Sequence, residues 1–147
     1  MISAIKEWFN RAVPNPTLQN KSVQLGCHFE EIYEMLEALS PGSTLGAHMK
    51  QAADESKRGP QDDEQRAHFQ NVLDKIDRIE LLDALCDQIV TAVGVAHMLG
   101  LNIEEGLKRV NESNWSKFDQ NGQPIFNEQG KIKKGPNYVQ ADLSDLV

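Results

Sequence analysis

Residues 79–96 read IELLDALCDQIVTAVGVA, and this apolar stretch decides the fold. Its apolar side chains recur every three or four residues, which is the spacing that places side chains on one face of an α-helix. The helical pattern extends over about Asp62–Leu99 and has room for one break near Asp77. Gly100 follows it in the position where helices prefer a left-handed cap. The predicted core stripe of this helix consists of Ile79, Leu82, Leu85, Ile89, Val93 and Ala96.

Helical patterns also occupy most of the chain on either side. We predict helices over about residues 1–10, from 18 or 21 to 39, over 44–57 and over 102–114. Pro14, Pro16 and the Ser-Pro-Gly-Ser run at 40–43 separate the first three, because proline cannot continue a helix. After residue 115, Asn-Gly and Gln-Gly turns around a Pro-Ile-Phe segment indicate a small β-hairpin or an ordered loop.

These patterns predict an all-α fold, a four-helix-bundle core with a C-terminal hairpin or irregular tail. A chain of 147 residues has the usual length of one domain. We therefore predict a single domain over 1–147, with a helical core at about 18–114 and a tail at about 115–147. Helices that carry acids on one face must bury their apolar face against further helices, which predicts a homodimer or a dimer of dimers.

The composition argues against several classes of function. The 15 basic and 22 acidic side chains give a net charge of −7, which argues against a surface that binds nucleic acid through its phosphates. No apolar run approaches the roughly 18 residues of a membrane span, and no secretory signal peptide is visible. Cys27 and Cys86 lack a metal-binding spacing and are typical of reduced thiols. We expect a cytoplasmic protein that binds neither nucleic acid nor membrane.

Two groups of carboxylates lie at helical spacing. Glu30, Glu31 and Glu34 fall on one stretch of the second predicted helix, and Asp83 and Asp87 lie one turn apart in the apolar helix. Like charges at these spacings repel, so two such groups favour a bound Mg²⁺ or Mn²⁺, which prefer carboxylate oxygen. A solvated helix face is the alternative for the glutamates. A di-iron site would need Glu-x-x-His, and none of the 4 histidines has Glu three residues before it.

Several segments together resemble one enzyme family. They are Asn15-Pro16-Thr17, Glu30-Glu31-x-x-Glu34, Asp83-x-x-x-Asp87, Val110–Phe118, Gly122, Pro124-Ile125-Phe126, Gly130-Lys131 and Lys134–Tyr138. In this combination the chain resembles the MazG-like all-α nucleoside triphosphate pyrophosphohydrolases, in their phosphoribosyl-ATP-pyrophosphohydrolase-like branch, which is common in bacteria and phages. The family's second acidic motif is usually Glu-x-x-Asp. Here Ala84 stands three residues before Asp87, so Asp83, or Glu80 as the alternative, supplies the missing carboxylate.

The resemblance implies an enzyme that cleaves a nucleoside triphosphate, with a deoxynucleotide favoured, to the monophosphate and pyrophosphate. It implies Mg²⁺ as the cofactor, which Mn²⁺ can replace, held by Glu30, Glu31, Glu34, Asp83 and Asp87. Glu31 is expected also to orient or deprotonate the attacking water. The tail is expected to cover the substrate, through Asn111, Asn114, Lys117, Lys134, Asn137 and Tyr138.

The resemblance also implies a cellular setting and leaves alternatives. The enzyme would work in the cytoplasm, or in the host cytoplasm if a phage encodes it. One alternative is phosphoribosyl-ATP pyrophosphohydrolase itself. A second is a helical module of the same fold that binds nucleotide or metal without catalysis. A third, from another class, is a helical adaptor whose acidic face binds a basic partner.

Overall fold

The computed structural model describes residues 1–147, and six helices form its regular structure. In chain order these are α1 (Ile2–Ala12), α2 (Leu18–Leu39), α3 (Thr44–Arg58), α4 (Asp63–Asp74), α5 (Arg78–Met98) and α6 (Ile103–Trp115). They confirm the all-α class. The long predicted helix does break near Asp77, because the Asp77 side chain accepts hydrogen bonds from the N–H groups of Ile79 and Glu80 and starts a new helix. None of the helices has both the length and the apolar character that crossing a membrane requires.

The tail after α6 is an ordered loop rather than a hairpin of regular strands. Phe126 and Ile132 are its only β-bridge residues. Asn127 closes a tight turn, because its side-chain oxygen accepts hydrogen bonds from the N–H groups of Gln129 and Lys131. Backbone hydrogen bonds from the Asn127 N–H to the Lys131 carbonyl oxygen and from the Lys133 N–H to the Ile125 carbonyl oxygen join the two sides of the turn.

The chain divides into two compact units. The first comprises Met1–Pro14, Asp74–Ile125 and Ile132–Val147, and we call it the α5–α6 unit. The second comprises Asn15–Leu73 and Phe126–Lys131, and we call it the α2–α3 unit. The tail contributes residues to both units, and the single domain with a helical core and a covering tail stays a prediction.

In the α2–α3 unit, the two long helices form a closely packed antiparallel pair. Ser22 Oγ donates a hydrogen bond to the Ser56 carbonyl oxygen at 2.8 Å. Val23 and Ala53 are buried in the same unit. Gly26 permits this packing, since a Cβ at that position would lie only 2.7 Å from the Ala53 carbonyl oxygen. The absence of a side chain therefore brings the last turns of α3 against α2.

The α5–α6 unit has an aromatic core. Trp8 and Phe118 are buried and stack with ring centroids 5.9 Å apart, and Trp115 meets Phe118 edge-on. Trp115 is therefore part of the packing. The end of the chain is fastened to α6, because the Arg109 guanidinium donates hydrogen bonds to both carboxylate oxygens of Asp145.

The surroundings of α5 differ from the prediction. Of the predicted core stripe only Ala96 is buried within the chain, whereas Ile79 is 80% exposed and Leu82 is 63% exposed. The expectation that this stripe forms a core inside one chain is therefore wrong. The physical reason is that the apolar side chains of α5 are not confined to the stripe, since Leu81 and Val90 lie off it. The helix of this unit that packs against α5 is α6, and it leaves these apolar side chains exposed.

Candidate functional site

Among the predicted metal ligands, Glu30 contacts two lysines. It lies on α2, and each of its carboxylate oxygens accepts a hydrogen bond from a lysine. Lys57 Nζ lies 2.7 Å from Oε1, and Lys131 Nζ lies 2.8 Å from Oε2. Glu31 and Glu34 follow on α2 and are exposed. The sequence pattern predicted the carboxylates but neither lysine.

Lys57 is placed by the packing of α3 on α2. It lies in the last turn of α3, and a Cβ at Gly26 would come within 2.7 Å of its Cγ and its backbone nitrogen. Its ammonium group also lies 3.4 Å from Asp54 Oδ1. Lys57 therefore bridges a carboxylate of its own helix and Glu30 on the neighbouring one.

Lys131 is placed by the tight turn of the tail. The Gln19 side chain donates a hydrogen bond to the Gln129 carbonyl oxygen at 3.3 Å, which holds this turn on α2. Lys57 and Lys131 stand 27 and 101 residues from Glu30 in sequence. Helical spacing could not reveal either contact, and the only available signal was the Gly-Lys pair of the tail motif.

The two lysines set the charge state of Glu30. Burial raises the pKa of Glu30, but the hydrogen bonds and positive charges of Lys131 and Lys57 outweigh burial, so the pKa lies below its ordinary value of 4.5. Burial lowers the pKa of Lys57, and its contacts with Glu30 and Asp54 more than compensate and raise it. The carboxylate is therefore ionised and paired at neutral pH.

This lowered pKa predicts a pH-dependent contribution to stability. The contribution is fully present above the unfolded-state pKa of about 4.5 and is lost as the pH falls through the lower folded-state value. The difference in unfolding free energy between the wild type and Glu30→Gln should therefore shrink between about pH 6 and pH 3 in denaturant titrations. A Lys57→Met Lys131→Met background should remove most of this pH dependence. A difference that stays constant with pH would contradict the assignment.

The second group of predicted ligands lies in the other unit. Asp83 and Asp87 are one turn apart on α5, Glu80 precedes them on the same helix, and all three are exposed. No cluster of three or more His, Cys, Asp or Glu side chains placed to hold a metal occurs within the chain. The five predicted ligands therefore lie in two separate groups, three on α2 and two on α5.

Four of the predicted substrate contacts come together at the end of α6. Lys117 Nζ donates a hydrogen bond to Asn114 Oδ1 at 2.6 Å, and Lys134 Nζ lies 4.6 Å from the centre of the Tyr138 ring. The hydrogen bond with Ser113 lowers the pKa of Tyr138, burial opposes it, and the charges of Lys134 and Lys117 lower it further. The charges of both lysines therefore lower the pKa of the same side chain, that of Tyr138. We call Asn114, Lys117, Lys134 and Tyr138 the tail cluster.

The other two predicted contacts lie close in sequence to the tail cluster. Asn111 precedes Asn114 by one helical turn, and its side-chain oxygen is buried without a hydrogen-bond partner. Asn137 is exposed in the turn after Gly135. A Cβ at Gly135 would lie 2.9 Å from the Lys117 carbonyl oxygen, so glycine is required for the tail to lie against the end of α6.

The donor atoms of the predicted metal ligands suit Mg²⁺. All five side chains offer carboxylate oxygen, which hard divalent cations prefer. At Glu30, two ammonium groups already stand at the positions where a carboxylate binds cations. Comparison with family models, with curated proteins and with solved structures found no match for the chain. A function is therefore argued from these residues.

Proposed function

We propose that the protein is a cytoplasmic, Mg²⁺-dependent nucleoside triphosphate pyrophosphohydrolase of the MazG-like kind, which releases a monophosphate and pyrophosphate and controls the nucleotide pool. A deoxynucleoside triphosphate is the favoured substrate. The observation that carries the proposal is the tail cluster. Residues that are up to 24 positions apart meet at the end of α6 and present two ammonium groups on a chain of net charge −7. A polyphosphate is the ligand that such a local concentration of positive charge attracts.

Each member of the tail cluster has a distinct role in binding. Lys117 and Lys134 would pair with phosphate oxygens as point charges. Asn114 positions the ammonium group of Lys117 through its 2.6 Å hydrogen bond. Tyr138 offers an aromatic face against which a base can stack. The further amide donors to phosphate or sugar are Asn111 and Asn137.

The carboxylates supply the second half of the proposed chemistry. The residues that would hold the metal ions are Glu30, Glu31, Glu34, Asp83 and Asp87. Bound Mg²⁺ supplies positive charge that neutralises phosphate oxygens and makes water more acidic. Glu31 is exposed on α2 and within reach of solvent, so its carboxylate can accept the proton of the attacking water. That water attacks the α-phosphorus, and pyrophosphate leaves with the electrons of the broken P–O bond.

A second copy of the chain is the proposed partner of α5. Large apolar side chains are exposed along the whole helix, from Ile79 at one end to Met98, which is 82% exposed, at the other. A helix with this much exposed apolar surface is normally covered by another surface, and two copies of one face can bury each other about a two-fold axis. The four-helix bundle would then be built from helices of two chains, in a homodimer or a dimer of dimers.

The proposed activity is tested by measuring pyrophosphate release from every canonical NTP and dNTP, and from phosphoribosyl-ATP. We expect monophosphate and pyrophosphate in equal amounts, with Mg²⁺ or Mn²⁺ but not with EDTA, and fastest from a dNTP. A preference for phosphoribosyl-ATP would identify the alternative substrate. Nucleotide binding without any release would overturn catalysis and leave a non-catalytic binding module.

Replacement of the two cations of the tail cluster tests the site itself. We expect Lys117→Met Lys134→Met to raise the KM for the nucleotide by about tenfold or more, since both point charges that pair with phosphate are lost. The matched control is Lys108→Met, because Lys108 is an exposed lysine of α6 that lies outside the cluster. Equal KM values for the cluster variant and the control would contradict this assignment.

A further inference from the structure

The two lysines that contact Glu30 differ in exposure and in their number of ion-pair partners. The side chain of Lys57 is 20% exposed, packs where Gly26 lacks a side chain, and has Asp54 as a second partner. The side chain of Lys131 is 42% exposed, and its only ion pair is the one with Glu30. Lys131 itself lies at the end of the tail turn. The entropic cost of holding a long exposed side chain offsets much of its ion-pair energy. Lys131 is therefore the cation that leaves Glu30 more easily.

The surroundings of Glu30 favour a cation at each of its oxygens. Its side chain is 26% exposed, so water solvates the charge only in part. Glu31 and Glu34 lie within one helical turn on α2 and add negative potential. If Lys131 left without a replacement, Oε2 would lose its hydrogen bond and its counter-ion together. A metal cation that takes the place of Lys131 supplies the counter-ion again.

We propose that Lys131 is a resident competitor of the metal: in the metal-free protein it occupies the cation position at Glu30 Oε2, and metal binding displaces it. The inference rests on the proposed function only in taking Glu30 as a metal ligand. Lys57 stays at Oε1 in both states, because its packing and its second partner do not depend on Oε2. The affinity for metal is then set by a competition between Lys131 and the metal for Oε2, and metal binding breaks the ion pair between Lys131 and Glu30.

The test is the affinity for Mn²⁺ alone, measured by titration calorimetry without nucleotide. We expect Lys131→Met to bind Mn²⁺ about threefold to tenfold more tightly than Lys133→Met. Lys133 is the matched control, because it is exposed, lies two residues further along the tail and makes no ion pair. Both variants lose one positive charge, so general electrostatic attraction of Mn²⁺ cancels between them. Equal or weaker binding by Lys131→Met would overturn the proposal.

Two further measurements link the effect to Glu30 and to the unsubstituted chain. In a Glu30→Gln background, Lys131→Met should no longer change the affinity for Mn²⁺. In the wild type, Mg²⁺ should shift the NMR resonance of the Lys131 side-chain Cε and leave that of Lys133 in place. A lysine signal that does not respond to Mg²⁺ overturns the exchange even if a variant misfolds. Because no readout uses nucleotide, failure of pyrophosphate release would overturn the proposed function alone.

Discussion

A Glu31→Gln variant is expected to release pyrophosphate about 100-fold more slowly than the wild type at saturating Mg²⁺, which is the usual size of a lost general base. Glutamine keeps an oxygen donor for the metal but cannot accept the proton of the attacking water. The loss should therefore appear in kcat and persist when the metal concentration is raised. The measurement is steady-state pyrophosphate release from the best substrate of the panel.

Two comparisons separate the role of a base from that of a ligand. Glu34→Gln removes a predicted ligand that has no proposed role in proton transfer, so excess Mg²⁺ should restore most of its rate. Glu7→Gln removes the same charge at an exposed position of α1, and it should match the wild type. If excess Mg²⁺ restores the rate of Glu31→Gln, Glu31 is a metal ligand and not the general base. If Glu31→Gln has the wild-type rate at ordinary Mg²⁺, Glu31 is neither the base nor a ligand.

The helices could be predicted closely because local chemistry sets their ends. Thr17 caps α2 by accepting a hydrogen bond from the Asn20 N–H, and Asn102 caps α6 in the same way through the Glu105 N–H. Gly100 adopts a φ of 73° just after α5, as predicted from its place behind the apolar pattern. These signals lie within a few residues of the boundary that they define, so a single sequence contains them in full.

Which side chains of α5 are exposed in the chain could not be predicted in the same way. Periodicity shows which side chains share a face of a helix, and it says nothing about which surface covers that face. Ile79 and Leu82 are as apolar as core residues and yet are exposed in the chain. An apolar stripe therefore predicts that a surface is buried somewhere, whether in the same chain or against another.

The candidate site was predictable where its residues follow a motif and not where packing alone creates a contact. The tail cluster joins residues that the sequence had singled out, and the structure brings Asn114, Lys117, Lys134 and Tyr138 together. Lys57 reaches α2 only because residue 26 lacks a side chain and lets α3 approach. That contact depends on how two helices pack, and no short-range pattern specifies it.

A Leu82→Glu variant is expected to dissociate the proposed dimer. Leu82 is 63% exposed on α5, where the second copy would cover it. Burial of an unpaired carboxylate in an apolar interface costs about 3 kcal/mol or more, which corresponds to an increase of about 100-fold in the dissociation constant. Glu80 and Asp83 lie beside it in the sequence and add like-charge repulsion. Sedimentation velocity over a range of concentrations measures the effect directly.

The matched control for this variant is Val72→Glu, an exposed apolar residue of α4 that is outside the proposed interface. It adds the same charge, so it should leave the dimer and the rate of pyrophosphate release unchanged. Because α5 carries both the apolar face and Asp83, loss of the dimer should also lower the activity of Leu82→Glu, and more so at low protein concentration. A wild-type chain that sediments as a monomer at tens of micromolar would contradict self-association. A Leu82→Glu variant that remains dimeric would instead place the interface elsewhere on the chain.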